Sequence, residues 1–338
     1  MMSTDAITPQ RRIELVCAVS ALPVLRTAVV SGADCITFEL AHDRVPEDVV
    51  AQRLSETEAD AGIRYAHGLG ARAVVRLDTY PRGASFDHAR RGIDLAAELQ
   101  ADAIELSDPG LMQYAARAYP ALALHVGVRA GATTYEAVNF YYEHFGVKRV
   151  VVSRTVPLDQ LEELSARGTA EIEVCGFGSP CIMIGGHCAL SSYVTGASVN
   201  TSGICSPASA VDRQVVEDLV ECRLNGALLS RSIPEGRAAP AKPCKGCYEV
   251  VGQIYQALDV TGTLNALDMV PAFRRMGVAA VRIDAARSDT HEAAWATRVW
   301  QEALKWSQPA SHAGPPAGQS PVDTGEALTL GPSSPQWR

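Results

Sequence analysis

The chain switches repeatedly between two hydrophobic periods, and this alternation restricts its fold more than any other feature. Short β-rich apolar runs occur at Ile13–Val19, Cys35–Leu40, Ala73–Leu77, Ala103–Leu106, Ala123–Val128, Arg149–Val152, Ile172–Phe177 and Val278–Ile283. Between them lie stretches with helical spacing, among them Glu47–Leu69, Phe86–Leu99, Tyr135–Phe145, Leu158–Ala166 and Leu264–Met276. Glycines at 32, 70, 146, 168 and 277 stand where each helix would give way to the next strand. Glycine there supplies the left-handed residue that ends a helix. Strands alternating with helices imply βαβ units and a parallel sheet. Eight units close into a (β/α)8 TIM-type barrel, one domain of about 250 residues. An open doubly wound sheet is the rival. A G-x-G-x-x-G turn after the first run would favour it, and the sequence has none there.

The pattern breaks once. About 100 residues separate Phe177 from Val278, holding Gly, Ser, Pro and most of the cysteines. They include an apolar patch at Leu224–Leu229 and a strand-like pair around Tyr248–Leu258. The segment 178–262 reads as a cysteine-rich insertion after strand seven, on the barrel face where active sites are built. Residues 12–306 then form the barrel domain, residues 1–11 an N-terminal extension, and residues 307–338 a Pro/Ser/Gly-rich tail expected to be disordered.

Composition excludes some function classes. No apolar stretch approaches the roughly 18 residues of a membrane helix, and residues 1–12 lack the pattern of a signal peptide, so a cytoplasmic protein is expected. Lys plus Arg total 30 against 38 Asp plus Glu, a net charge of −8. Nucleic-acid binders carry a basic footprint. The surplus is acidic here, which makes nucleic acid an unlikely partner.

Nine cysteines are present. An odd number without an export signal argues against a disulfide framework. Cys17, Cys35 and Cys222 stand alone, whereas Cys175, Cys181, Cys188, Cys205, Cys244 and Cys247 fall in one window. Clustered thiolates repel one another unless a cation neutralises them, and a four-thiolate set suits zinc or an iron–sulfur cluster. Spacing leaves both open, and does not choose four ligands from six. Neighbouring glycines let backbone approach an inorganic core.

Other residues carry candidate chemistry. Arg76, Asp78 and Tyr80 share one face past the third strand, and Arg129 follows the fifth. They are candidate substrate-binding residues, the arginines for an anionic group; a strand-end ion pair is the alternative. Glu105 and Asp108 are candidates for proton transfer. His187 adjoins Cys188 and could contact a metal or a cluster sulfur. His67, His125 and His144 have no motif and read as structural or surface groups. Trp295 and Trp300 read as a helix packing face.

The run from Cys175 through Cys181-Ile-Met-Ile-Gly-Gly-His-Cys188-Ala-Leu-Ser-Ser-Tyr to Asn200, followed by Gly203-Ile-Cys205-Ser-Pro-Ala, strongly resembles the peptidase U32 family, most of all its UbiU-type branch. Ala130–Tyr141, Arg223-Leu-Asn-Gly226, Pro243-Cys-Lys-Gly246, Thr263-Leu-Asn265 and Thr297-Arg-Val-Trp300 extend the resemblance over residues 12–306. It implies a barrel carrying a [4Fe–4S] cluster, with the ligands falling on Cys181, Cys188, Cys205 and Cys244. It also implies an oxygen-independent hydroxylase component acting on a small aromatic substrate in ubiquinone biosynthesis, in a heterodimer with a UbiV-like U32 protein. Prephenate is the oxygen donor associated with the family. Other U32 relatives hydroxylate RNA bases, which is the first alternative; a zinc-stabilised binding protein without catalysis is the second. No arrangement of Ser, His and Asp or of Cys and His supports the peptidase label. The chain departs from the family at Glu39–Pro46 and Ile283–Arg287, both at strand ends, so the expected cluster signature is intact while the substrate pocket differs.

Overall fold

The computed structural model describes residues 12–41, 53–154, 156–178, 264–286 and 288–305, together with the backbone of five strands between 211 and 256. Eight strands form a closed parallel ring: β1 (Glu14–Ala18), β2 (Cys35–Glu39), β3 (Arg72–Leu77), β4 (Ala103–Leu106), β5 (Ala123–Val126), β6 (Arg149–Val151), β7 (Glu171–Gly178) and β8 (Ala280–Asp284). Each pairs with its predecessor except β8, which lies between β7 and β1; β6 pairs with β7 and closes the ring. The helices are α1 (Leu22–Val30), α2 (Glu56–Gly68), α3 (Phe86–Glu98), α4 (Pro109–Ala118), α5 (Tyr135–Phe145), α6 (Leu158–Arg167), α7 (Val270–Met276) and α8 (Thr290–Lys305). One helix follows each strand. The architecture is the (β/α)8 barrel that the alternation predicts. No described helix is long and apolar enough to cross a membrane.

Local chemistry sets the helix ends. Ser55 and Glu58 form a capping box at α2, Asp108 accepts from Leu111 N at the start of α4, and Thr134 caps α5. These side chains satisfy amides that no helical turn can reach. Gly146 and Gly277 end α5 and α7 at φ 69° and 79°.

Three expected boundaries move. The helix expected over Glu47–Leu69 begins only at Glu56, because Leu54 makes a parallel bridge to Leu40 and Ser55 caps the turn after it. The fifth strand ends at Val126, and Val128–Ala130 is a 3-10 turn that closes with Gly131 at φ 68°. The stretch Leu264–Met276 divides: Leu264 and Asn265 pair antiparallel with Gly178 and Phe177, and the helix starts at Val270. Asn265 Oδ1 accepts from Leu267 N, turning the chain between the two parts.

Within the insertion, Val211–Val216, Leu219–Leu224 and Ala227–Ser232 form a three-stranded antiparallel sheet. Cys247–Val250 pairs with Gln253–Gln256, within the strand-like pair expected there. Otherwise the extension 1–11, the insertion's four candidate ligand cysteines and the tail 307–338 lie outside the described residues.

Side chains alternate along each strand. One set, including Leu15, Ile36, Phe38, Ile104 and Leu106, packs outward against the helices in the main core. The other faces the barrel axis, where Val16, Cys35, Val74, Ala103 and Ala280 form a separate small cluster. At β7 the helix layer comes unusually close. A Cβ on Gly176 would stand 2.4 Å from Val281 Cγ1 and 2.7 Å from Trp300 Cη2, and Trp300 of α8 is 1% exposed. The expected packing role of Trp300 is confirmed.

Overpacking a filled site destabilises by about 1–3 kcal/mol. Gly176→Ala is therefore expected to lower the thermal and denaturant midpoints by that amount. Unchanged midpoints would mean that Trp300 yields without strain.

Candidate functional site at the mouth of the barrel

The barrel interior is ionic. Arg72 donates to Glu14 at 2.5 Å, and Glu14 accepts from Arg149 at 2.6 Å. Arg149 also reaches Glu171 at 2.6 Å and Glu173 at 3.3 Å. Glu173 accepts from Arg282 at 2.5 Å, and Arg282 reaches Glu105 at 2.6 Å. This chain links β3, β1, β6, β7, β8 and β4 across the axis. The interior residues above and below it are small, notably Ala103, Ala280 and Val16, which leaves room for the long side chains. His125 of β5 lies buried in the same interior. Burial, then Arg149, Arg72 and Arg282, drive its pKa well below the ordinary value, so it is neutral.

Above this network lies the C-terminal mouth, where barrel enzymes place their chemistry. Glu39, at the end of β2, accepts from Arg76 Nη2 at 2.7 Å and from Arg53 Nε at 3.0 Å. Burial raises its pKa, but Arg76 and Arg53 outweigh burial and hold it below the ordinary range. Asp78, just past β3, is the opposite case. Burial pushes its carboxyl up to about 6, with Arg129 pulling down and Glu105 pushing further up. Its Oδ1 accepts from the Ser107 hydroxyl, and its Oδ2 is 3.7 Å from Arg129 Nε.

Three further contacts tie Asp78 to the β5 end. Arg129 Nη1 donates to the Asp78 carbonyl, and Tyr80 donates to the Arg129 carbonyl at 3.0 Å. The carboxylate lies against Gly127, where a Cβ would stand 2.4 Å from Asp78 Oδ1 and 2.9 Å from Ser107 Oγ. The glycine is required for close approach of this carboxyl to the β5 backbone.

The structure thus brings Arg76, Asp78, Tyr80 and Arg129 together at one mouth. Two proton-transfer candidates are occupied otherwise. Glu105 is 1% exposed and bound by Arg282, and Asp108 caps α4. His67 pairs with Asp102 at the surface, and His144 bonds the Phe140 carbonyl. Sequence reasoning missed Glu39, Arg53, Ser107, Glu173 and Arg282. Strand-end position marks Glu39 and Ser107 in hindsight, whereas nothing local marks Arg282 as a bridge between β4 and β7.

Cys181, Cys188, Cys205, Cys244 and His187 lie outside the described residues. Cys175 is described: it faces Arg282 in the β7–β8 register and lines a cleft with Val152, Val174, Leu264, Ala266 and Phe273. Burial pushes its thiol up to about 12, so it stays protonated.

Two predictions follow from these environments. Removing one partner of a buried pair strands the other charge and destabilises by about 3–5 kcal/mol. Arg282→Met, which leaves Glu105 and Glu173 bridged by nothing, should fall in that range by chemical denaturation; a loss below about 1 kcal/mol would show the pairs to be dispensable. For Asp78 the folded pKa exceeds the unfolded one, so the native state binds the extra proton between about pH 4 and 6, and its stability falls as pH rises through that window. The midpoint of Asp78→Asn minus that of the native chain should therefore grow more positive from about pH 4 to 6 and then level off. Parallel curves would show that Asp78 titrates normally.

Comparison with known proteins assigns the family. The model of peptidase family U32 matches residues 21–313. The chain is 26% identical over 333 residues to the tRNA hydroxylation protein P of Escherichia coli, covering 93% of this chain and 72% of that one. With the Helicobacter pylori protein of that name it shares 24% over 294 residues, 87% of this chain and 64% of the relative. With the 23S rRNA 5-hydroxycytidine C2501 synthase of E. coli it shares 26% over 209 residues, 61% of this chain and 30% of the relative. Each of these relatives is thus only partly spanned. A solved U32 peptidase aligns with a TM-score of 0.39 at 17% identity, over 52% of this chain and 72% of that one. The chain belongs to the peptidase U32 family.

Proposed function

We propose that this chain is a hydroxylase that adds oxygen to a ring carbon of a base in RNA. The observation that carries the reading is the naming of its relatives, in which tRNA hydroxylation and 23S rRNA hydroxycytidine synthesis recur. A second reading keeps the hydroxylation and changes the ring: a ubiquinone precursor, modified together with a UbiV-like U32 partner. The net charge of −8 favours it, since a polyanionic substrate calls for a basic surface, and so does the resemblance of the Cys181–Asn200 block to UbiU-type proteins.

The mouth supports either substrate. Arg76 and Arg129 hold an anionic group of the substrate or of an oxygen donor such as prephenate. Ser107 and Arg129 fix the Asp78 carboxyl, which holds a proton at Oδ1 or Oδ2 near neutral pH. The barrel wall keeps this carboxyl out of bulk water. Cys181, Cys188, Cys205 and Cys244 provide a four-thiolate donor set that fits a [4Fe–4S] cluster. Such a cluster, once bound, supplies electron transfer. The same donors suit structural zinc, the basis of a non-catalytic alternative.

Deletion of the gene under anaerobic growth, followed by mass spectrometry of RNA nucleosides and quinones, separates the substrates. Loss of a hydroxylated nucleoside, restored by this chain, supports the first reading; loss of quinone alone supports the second. No change in either pool would overturn both.

The metal assignment has its own test. Anaerobically purified chain should contain about four iron and four sulfide, absent from Cys181→Ala and retained in Cys175→Ala. Equal loss in both variants would refute the ligand assignment, and zinc without sulfide would refute the cluster.

A further inference from the structure

The charge at the mouth is unbalanced in a way that specifies its occupant. Among the described residues, Arg53, Arg76 and Arg129 face Glu39 and Asp78. Glu39 engages two guanidinium groups and is held ionised by them. Asp78 meets Arg129 only at 3.7 Å and on one oxygen, the other being turned to Ser107. No contact among the described residues engages Nη1 of Arg76 or Nη2 of Arg129. Their side chains are 26% and 19% exposed, so these donors are reachable from the mouth and only partly hydrated.

We infer that the mouth binds a compact dianion, a dicarboxylate or a phosphate-type group, on Arg76 and Arg129, and that Asp78 takes up one proton as it binds. Three guanidinium groups against two carboxylates leave one positive charge. Protonating Asp78 leaves two, which a dianion neutralises. An incoming anion also competes for Arg129, the main group that favours the charged form of Asp78. With that support withdrawn, burial and Glu105 favour the neutral acid.

The other groups around Asp78 do not take this part. Arg76 lies beside it on β3 and is committed to Glu39. Ser107 donates to it from β4, and Glu105 on the same strand is held by Arg282 of β8. Tyr80 has its pKa raised to about 12 and remains a phenol, as does Tyr141 of α5, raised by burial. Asp108 is engaged at the α4 amide. Asp78 is thus the member of the cluster whose pKa, about 6, lies where neutral pH can move its proton. The inference deepens the anion-binding part of the proposed function, yet it concerns equilibrium binding and stands whether or not a ring is hydroxylated.

The test is isothermal titration of the full chain with two non-titrating probes, fumarate and, separately, sulfate, from about pH 6 to 8 in buffers of different ionisation heat. Affinity should rise as pH falls, approaching tenfold per unit at the upper end, as linkage requires for one proton taken up. The buffer dependence of the heat should report the same proton. Preference for fumarate marks a dicarboxylate ligand, and preference for sulfate a phosphate-type one. Asp78→Asn should bind with a flat pH profile and no proton uptake, while Arg129→Gln should lose at least tenfold in affinity. Gly127→Ala, which displaces the Asp78 carboxyl, should weaken the pH slope without removing the arginines. No binding of either probe, pH-independent binding by the native chain, or an unchanged slope in Asp78→Asn would overturn the inference. Circular dichroism establishes that each variant is folded; should Arg129→Gln fail to fold, Arg76→Gln replaces it in the affinity arm.

Discussion

Arg282 is the residue on which the interior of the barrel depends. Its guanidinium joins Glu105 of β4 to Glu173 of β7, and Glu173 passes the network on to Arg149, Glu14 and Arg72. A parallel barrel is usually filled by layers of branched apolar side chains. Here the layer is made of three guanidinium groups and four carboxylates. Buried ion pairs contribute little net stability compared with a hydrophobic filling, but each member demands its partners. The arrangement therefore ties the strand register to charge: shifting β8 by one residue would turn Arg282 outward into an apolar layer and leave two buried carboxylates unpaired.

The mouth inherits its properties from that layer. Glu105, held by Arg282, sits beneath Asp78 as a fixed negative charge and helps keep its proton affinity high. Gly127 allows the carboxyl to rest on the β5 backbone, and Arg129 closes over it through the Asp78 carbonyl. One carboxyl is thereby held ionised, at Glu39, and another near its midpoint, at Asp78, on neighbouring strands. Two carboxylates whose surroundings separate their proton affinities are the usual basis for dividing roles in a site.

Much of the architecture was legible in the sequence. The eight strand runs match the eight barrel strands because alternate residues must satisfy two different environments, and that demand is written locally. The caps at Ser55, Asp108 and Thr134 are equally local. The helix expected from Glu47 was misplaced, because Leu54 satisfies the pattern of either a helix or a bridge to Leu40, and only the neighbouring strand decides between them. For the candidate site, Arg76, Asp78, Tyr80 and Arg129 could be named from their positions past strand ends. Glu105 could be named too, but its engagement by a residue 177 positions away has no local trace.

The sequence by itself determined the order of the strands and helices, the family through its cysteine block, and the set of polar residues at the strand ends. Hydrophobic period, caps and glycine turns are short-range properties, so a linear reading contains them. The tertiary structure alone decided which charges meet. Closing the ring sets β8 between β7 and β1, and so places Arg282 across the axis from Glu105. It also packs Asp78 against Gly127 and under Arg129. The proton affinities of Glu39 and Asp78 follow from those placements, since burial and the distance to a fixed charge are set by the folded barrel rather than by residue type.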